Sequence, residues 1–513
     1  MSEHERKVQE IASDIKSFYH RKEPYRIFHG STNSTRPAPR DRVIDISALN
    51  TILSIDTKTQ TVILEPNVPM DTLVRATLEH GLIPPVVMEF PGITVGGGFA
   101  GSAGESSSFK FGYFDQSIIS IEMVLANGEI VTASKTERPD LFKCAAGSLG
   151  TLGTVTQLEV QLIKAKNYVK TTYNRCHNVR DTIESVQREI DNPEHDYVDG
   201  IILSSTHGVV ITGQLTDKTP KDAVVCKFSR PWDPWYYLHV KERTISEGLS
   251  IKLEYVPISD YLFRYDRGGF WVGAAAFKYF GFVPFNRLTR WLLDDFMHTR
   301  MLYRALHGGK MYTQQITQDL SLPYSTAEKF IEYTAEEFGI WPLWLCPLGA
   351  VNPPTFHPTT TLPGPDNSAK PMLNIGLWGA ASTDIKTFVA QNRRSESKLT
   401  QLGGRKVLYS QTFYTEEEFW DLYDKDAYQD LRNAYSATTL PTVYDKVKTD
   451  VAGLLEKRTS LFERITTSWP LAGFIGIFHA IRSEDYLLHR DSLWMHIRKK
   501  FRQSSSGRFS GRS

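Results

Sequence analysis

Six of the thirteen residues from Gly92 to Gly104 (GITVGGGFAGSAG) are glycine. Glycine at that density does not build a long regular element by its own propensity. It lets backbone pass close to another group, with N–H donors converging on an anion. The run continues into Glu105-Ser106-Ser107-Ser108 and Gly112. Gly96-x-Gly98-x-x-Gly101 satisfies the dinucleotide fingerprint, but its surroundings reject it. Ile83–Pro91 holds three prolines and cannot be a central parallel strand. Ser102–Ser108 is too poor in helix formers to open a crossover helix. No Gly-Lys-Ser/Thr follows, which excludes a P-loop. Two readings remain: a plain surface loop, or a backbone clamp on a pyrophosphate and flavin. The Pro-Gly entry and the triple-serine exit favour the clamp.

Two further clusters bear on that choice. Gly147–Val155 (GSLGTLGTV) stands at the mouth of an alternating strand, as a bulged entry or as backbone amides on the same cofactor. His29–Thr35 (HGSTNST) follows a short apolar run and is rich in small hydroxyl residues; alone it carries little.

The surroundings are α+β in texture. Residues 5–20 place Val8, Ile11, Ile15 and Phe18 on one helical face. Short β runs follow at Arg42–Ile46, Leu53–Asp56 and Thr61–Glu65. Met70–His80 reads as a helix closed by Gly81. Ser117–Ala126 and Glu129–Thr132 flank Asn127-Gly128, the strongest short hairpin signal. Thr154–Ile163 alternates polar and apolar and closes this region. From about 166 to 448, helices mix with β runs such as Val209–Leu215, and Pro353–Pro365 reads as a loop. A helix-rich extension and a basic, disordered tail, Gln503–Ser513, come last. At 513 residues the chain needs more than one core. The expected units are 1–167, 168–448 and 449–513, without internal repeats.

Composition removes other classes. Lys+Arg 59 against Asp+Glu 58 is no basic excess, so a nucleic-acid partner is not expected. The four cysteines are far apart and form no CxxC, which argues against a disulfide framework, zinc or any other metal site, and for a reducing compartment. The charged first twenty residues predict neither a signal peptide nor an N-terminal anchor. Gly268–Phe285 and Ile465–Ile481 are apolar but fall short of the ~20 residues a spanning helix needs. The chain reads as non-spanning, with lipid contact left open.

In their order along the chain, these pieces resemble the vanillyl-alcohol-oxidase-type (PCMH-type) FAD-binding domain. The resemblance implies that Gly30–Thr35 and Thr94–Ser108 enclose the pyrophosphate and that Gly147–Val155 lies along the flavin. More closely, Glu65-Pro66-Asn67-Val68, Thr94-Val95-Gly96-Gly97, Gly104-Glu105-Ser106-Ser107-Ser108-x-Lys110-x-Gly112 and Leu125-Ala126-Asn127-Gly128 are similar to the Δ24-sterol reductase (24-dehydrocholesterol reductase, Diminuto/Dwarf1) family. So are Glu254-Tyr255-Val256-Pro257, Ile340–Pro347 (IWPLWLCP), Leu408-Tyr409, Glu417-Glu418-Phe419-Trp420 and Pro441-x-Val443-Tyr444-Asp445-Lys446. The likeness spans roughly residues 20–448. This chain departs from the family in lacking an apolar N-terminal segment, in the extension after 450, and in Phe109, where animal members carry a histidine.

The resemblance implies a two-lobed FAD-binding domain, an α+β substrate (cap) domain and a helical C-terminal extension. It implies NADPH-dependent reduction of the C24–C25 double bond of a sterol side chain. The FAD contacts it implies are Gly30, Ser31, Thr32, Asn33 and Ser34 in the first loop. In the second they are Thr94, Val95, Gly96, Gly97, Gly101, Gly104, Glu105, Ser106, Ser107, Ser108 and Gly112, and in the third cluster Gly150, Thr151, Gly153 and Val155. An isolated alkene is a poor hydride acceptor, so an acid must protonate the neighbouring carbon; a Tyr or a buried carboxylic acid suits. Tyr409 and Tyr255 are the candidates, each with the competing reading of a buried, satisfied tyrosine; Lys310 and Asp319 stand behind them. Phe270–Phe285 is a sterol entry face or an ordinary core helix. Asn33 stands where relatives with a linked flavin carry the attacking histidine, His29 would have to reach around Gly30, and Cys144, the cysteine nearest the second loop, lies far downstream of it, so the resemblance implies FAD without a covalent bond. Peripheral attachment to the cytosolic face of the endoplasmic reticulum is expected, with a cytoplasmic enzyme as the alternative; the oligomeric state is left open. The competing classes are a flavin oxidase of a sugar or alcohol on the same fold, and an inactive flavin- or lipid-binding scaffold.

Overall fold

The computed structural model describes residues 1–30, 41–245, 251–352, 355–358, 370–457 and 465–488. Seventeen strands lie among them. The first nine are β1 Arg26–Phe28, β2 Val43–Asp45, β3 Ile52–Asp56, β4 Thr61–Leu64, β5 Leu82–Ile83, β6 Ile118–Val124, β7 Ile130–Ser134, β8 Thr154–Gln161 and β9 Ile163–Lys164. The others are β10 Tyr168–Cys176, β11 Tyr197–Ser204, β12 His207–Thr216, β13 Ile251–Pro257, β14 Gln315–Leu322, β15 Leu343–Leu348, β16 Met372–Ala380 and β17 Arg405–Lys406.

The first lobe holds an antiparallel sheet in the order β3-β4-β8-β6-β7. The turn expected at Asn127-Gly128 joins β6 to β7, with Gly128 at φ +86°. Helix Glu3–His20 opens with a Ser2–Glu5 capping box and buries Val8, Ile11, Ala12 and Ile15. The expected helix at 70–80 spans Met70–Leu78.

The second lobe is one antiparallel sheet, β13-β10-β12-β11-β15-β16-β14-β17. β15 shows why its sequence, LWLCPL, is apolar throughout. Leu343 and Leu345 join helices Val179–Ile190, Tyr324–Glu337 and Ile385–Gln401 in one core. Trp344, Cys346 and Leu348 face the opposite way, into the core shared with the first lobe. A strand covered on both faces has no polar side to display.

The chain then returns. Helix Lys425–Ala434 packs on helix Pro139–Ala145, Tyr428 Oη donates to Thr151 Oγ1 at 2.8 Å, and Lys446 Nζ donates to the Leu149 carbonyl. In the extension, helix Leu471–Ser483 lies on helix Thr299–Gly308. Among the described residues no helix is long and apolar enough to cross a membrane. Most of the Pro353–Pro365 loop and the whole Gln503–Ser513 tail lie outside the described residues.

Candidate active site

Between the lobes lies a cavity of about 1740 Å³. Pockets for one small ligand run to ~300–1,000 Å³, so the space accommodates a cofactor and a second molecule together.

One wall is the glycine-rich segment. The sequence favoured a loop; residues Val95–Ala100 form a short helix instead. Thr94 Oγ1 caps it by accepting from Gly97 N at 3.1 Å. Packing also holds it in place: a Cβ on Gly96 would meet the Pro66 side chain at 2.6 Å, and one on Gly98 the Met88 side chain at 2.4 Å. Thr94, Gly96, Gly97, Gly101 and Gly104 line the cavity. Gly30, Gly150, Gly153 and Val155 line the same space, with Gly30 at φ +76° and Gly150 at φ +72°. Ser31, Thr32, Asn33 and Ser34 lie outside the described residues.

The remaining residues of the implied FAD set sit behind this wall. Val95 is core. Gly112, at φ +77°, ends helix Ser108–Phe111. Thr151 is held by Ser148 and Tyr428. The serines bind the protein to itself. The Glu105 carboxylate accepts from Ser106 N at 2.6 Å, Ser106 Oγ at 2.7 Å and Ser107 N at 2.8 Å, and Ser108 Oγ accepts from Glu105 N at 2.9 Å. Ser107 Oγ donates to the Pro85 carbonyl at 2.8 Å. The buried Arg264 guanidinium then joins Ser106 Oγ to Asp199 on β11, each at 3.1 Å. This network fastens the glycine segment to the second sheet. Phe109 packs against the second lobe's core and does not line the cavity.

The opposite wall carries Asp319 of β14, Asn374 and Trp378 of β16, and Tyr409. Asn374 Nδ2 donates to Asp319 Oδ1 at 2.8 Å, Trp378 Nε1 donates to Tyr409 Oη at 3.3 Å, and the tyrosine hydroxyl is hydrogen-bonded to Asp319. Burial pushes the Asp319 carboxyl up to about 6, against the lowering effect of Asn374 and Tyr409. Burial, followed by the Asp319 charge, keeps the Tyr409 phenol protonated well above its ordinary range. Tyr255 lies elsewhere, buried on the edge strand β13 and away from the cavity. Its neighbour Glu254 gathers Cys226, His239 and Arg243; the guanidinium, 3.1 Å from Glu254 Oε2, supplies the positive charge at this metal-like donor set. Lys310 lies at the cavity's exposed margin.

A third wall is apolar. Helix Val272–Phe280, the middle of the expected entry face, contributes Val272, Ala276 and Phe280, and Leu302 and Phe474 adjoin it.

Three of the cavity residues outside the sequence candidates bear on what the cradle can hold. Glu89 is held neutral by burial and by the neighbouring Glu105, and its Oε1 has no partner among the described residues. The same is true of Ser102 Oγ. Cys346 also lines the cavity, though sequence spacing set it far from the loops. Burial above all raises its thiol well above the ordinary range, so it is no nucleophile. A glycine-floored cradle with two unpaired polar atoms in a space large enough for two ligands fits a flavin dinucleotide.

These features define a flavin-binding oxidoreductase. Residues 5–134 match the family described as "FAD binding domain". A Delta(24)-sterol reductase of Homo sapiens is 30% identical over 403 residues, 77% of this chain and 76% of its own. Another from Pisum sativum is 27% identical over 507 residues, 91% of this chain and 88% of its own. Cytokinin dehydrogenase 6 of Oryza sativa subsp. japonica is 30% identical over 132 residues, a quarter of each chain. The chain belongs to the Δ24-sterol reductase family.

Proposed function

We propose that this protein reduces the C24–C25 double bond of a sterol side chain, with noncovalent FAD and with NADPH as electron donor. The supporting observation is one continuous cavity in which a glycine cradle, an apolar wall and the Tyr409–Asp319 pair meet. When bound, FAD supplies hydride transfer between a nicotinamide and an alkene. The residues of the chain do the rest. Gly30, Gly96, Gly97, Gly101 and Gly150 let backbone approach the cofactor, and Glu89 and Ser102 offer it hydrogen bonds. The aromatic and aliphatic wall takes up the sterol and excludes water. Trp378 donates to the Tyr409 oxygen, and the single phenol proton, given to the Asp319 carboxylate when that is ionised, is released to substrate when Asp319 is protonated. Asp319, protonated below about 6, replaces that proton.

In this reading residues 1–167 bind FAD, 168–448 complete the substrate side, and 449–513 form the extension. The enzyme meets its substrate as a peripheral protein on the cytosolic face of the endoplasmic reticulum. Purified protein given NADPH and desmosterol is expected to yield the side-chain-saturated sterol. Recovery of unchanged desmosterol from flavin-loaded protein would overturn the reading.

A further inference from the structure

Helix Leu471–Ser483 (LAGFIGIFHAIRS) is apolar around its circumference apart from His479 until Arg482. A helix of that kind is covered on all sides by protein or lipid. Its small residues account for one side. A Cβ on Gly473 would strike Tyr279 at 2.6 Å, and one on Gly476 would strike the Ala305 carbonyl oxygen at 2.5 Å, so the helix lies directly on Thr299–Gly308 and the end of Val272–Phe280. Trp469 Nε1 donates to the Tyr279 carbonyl at 2.7 Å, and Arg304 pairs with Asp485 at 2.7 Å, which fixes both ends. The other side is bare: Phe474 is 48% exposed, Phe478 60% and Ile481 46%, at the i, i+4, i+7 spacing of one stripe. Phe282, 65% exposed, follows Phe280, whose ring lies 5.5 Å from that of Phe474.

Two observations say what covers the stripe. It borders the cavity, since Phe474, Ile477 and Phe282 are also lining residues. And the chain beyond the helix is basic: residues 489–513 carry seven Lys and Arg against one Asp. An apolar stripe followed by a basic segment suits a bilayer with anionic headgroups, the stripe entering the acyl boundary and the lysines and arginines meeting the lipid charge.

We propose that helix Leu471–Ser483 docks the protein on an anionic membrane surface, so that the cavity opens onto the lipid. Docking rests on the reductase reading only for the purpose it serves, delivery of a sterol.

The test uses the full chain, vesicles of phosphatidylcholine with and without phosphatidylserine, and a Phe478→Ser, Ile481→Ser variant; neither residue lines the cavity. The parent is expected to float with the anionic vesicles. The double variant should partition at least about tenfold less, a difference of ~1.4 kcal/mol. A chain ending at Leu488 should lose its preference for phosphatidylserine. With desmosterol in cyclodextrin the double variant should turn over like the parent; with desmosterol in vesicles it should be slow. Flotation of the double variant equal to that of the parent would overturn the proposal. So would a parent that ignores vesicles and runs as a dimer dispersed by the two substitutions. A parent that floats but leaves cyclodextrin-borne desmosterol unreduced would support docking and overturn the reductase reading alone.

Discussion

A methyl group on Gly96 would lie 2.6 Å from the Pro66 side chain, whereas one on Gly97 would meet only the Thr94 hydroxyl, at 3.0 Å, before open cavity. Substitution should separate the two roles. Gly97→Val is expected to fold but to purify with little yellow colour, because its methyls occupy cofactor space. Gly96→Val is expected to lose ~1–3 kcal/mol from overpacking. Flavin absorbance per protein and the melting temperature together check both; full colour in Gly97→Val would refute its place in the cradle. Asp319 yields a pH prediction. Its carboxyl is protonated below about 6, so turnover should fall as pH rises through about 6 if it resupplies Tyr409. Asp319→Asn should remove that inflection, and Tyr409→Phe should lower kcat by roughly 10²–10⁴-fold with little change in flavin content. Tyr409, singled out from its motif, lines the cavity. Glu89 was not singled out, because its neutrality comes from burial beside Glu105, sixteen positions away in sequence and adjacent only in the fold.

Elements that depend on local chemistry were legible in the sequence. The Asn-Gly hairpin and the helix starting after Pro69 lie within a residue or two of where the pattern puts them. The glycine segment was not, because its helix is imposed by Pro66, Met88 and a threonine cap against poor propensity. The serines after it also depend on distant partners: their hydroxyls join an Arg264–Asp199 network that no spacing reveals. A second buried network starts helix Thr299–Gly308. His298 Nδ1 lies 2.5 Å from Asp266, Nε2 lies 3.5 Å from Asp294, and Asp266 accepts from Thr299 N at 3.0 Å. Burial alone would lower the imidazole's pKa, but Asp266 and then Asp294 outweigh it and raise it to about 9. A raised histidine stabilises the fold fully below its unfolded value of about 6.5, and the contribution disappears as pH rises through about 9. Urea midpoints across that window should fall by an amount worth up to about 3 kcal/mol. His298→Gln should flatten the dependence; an unchanged slope would contradict the assignment.

At the scale of the whole molecule, the change from one sheet to the next falls between β9 and β10. The return of 425–446 onto the first lobe was hidden, because it rests on single long-range bonds such as Tyr428 to Thr151. Among the described residues, Cys346 and His29 are cavity-lining side chains to weigh for a bond to flavin. Burial keeps the Cys346 thiol protonated, whereas burial followed by the Lys446 charge keeps the His29 imidazole neutral and leaves it as the one to test. If the flavin is held without a covalent bond, as proposed, acid precipitation should leave the yellow colour in the supernatant; colour in the pellet would point to His29 first. The central claim is that electrons pass from NADPH to a sterol alkene. Its most direct test is anaerobic absorbance spectroscopy of the purified flavoprotein. NADPH should bleach the yellow absorbance, and desmosterol added without air should restore it while the saturated sterol accumulates. Absorbance untouched by NADPH, or restored only by oxygen with desmosterol unchanged, would contradict the account.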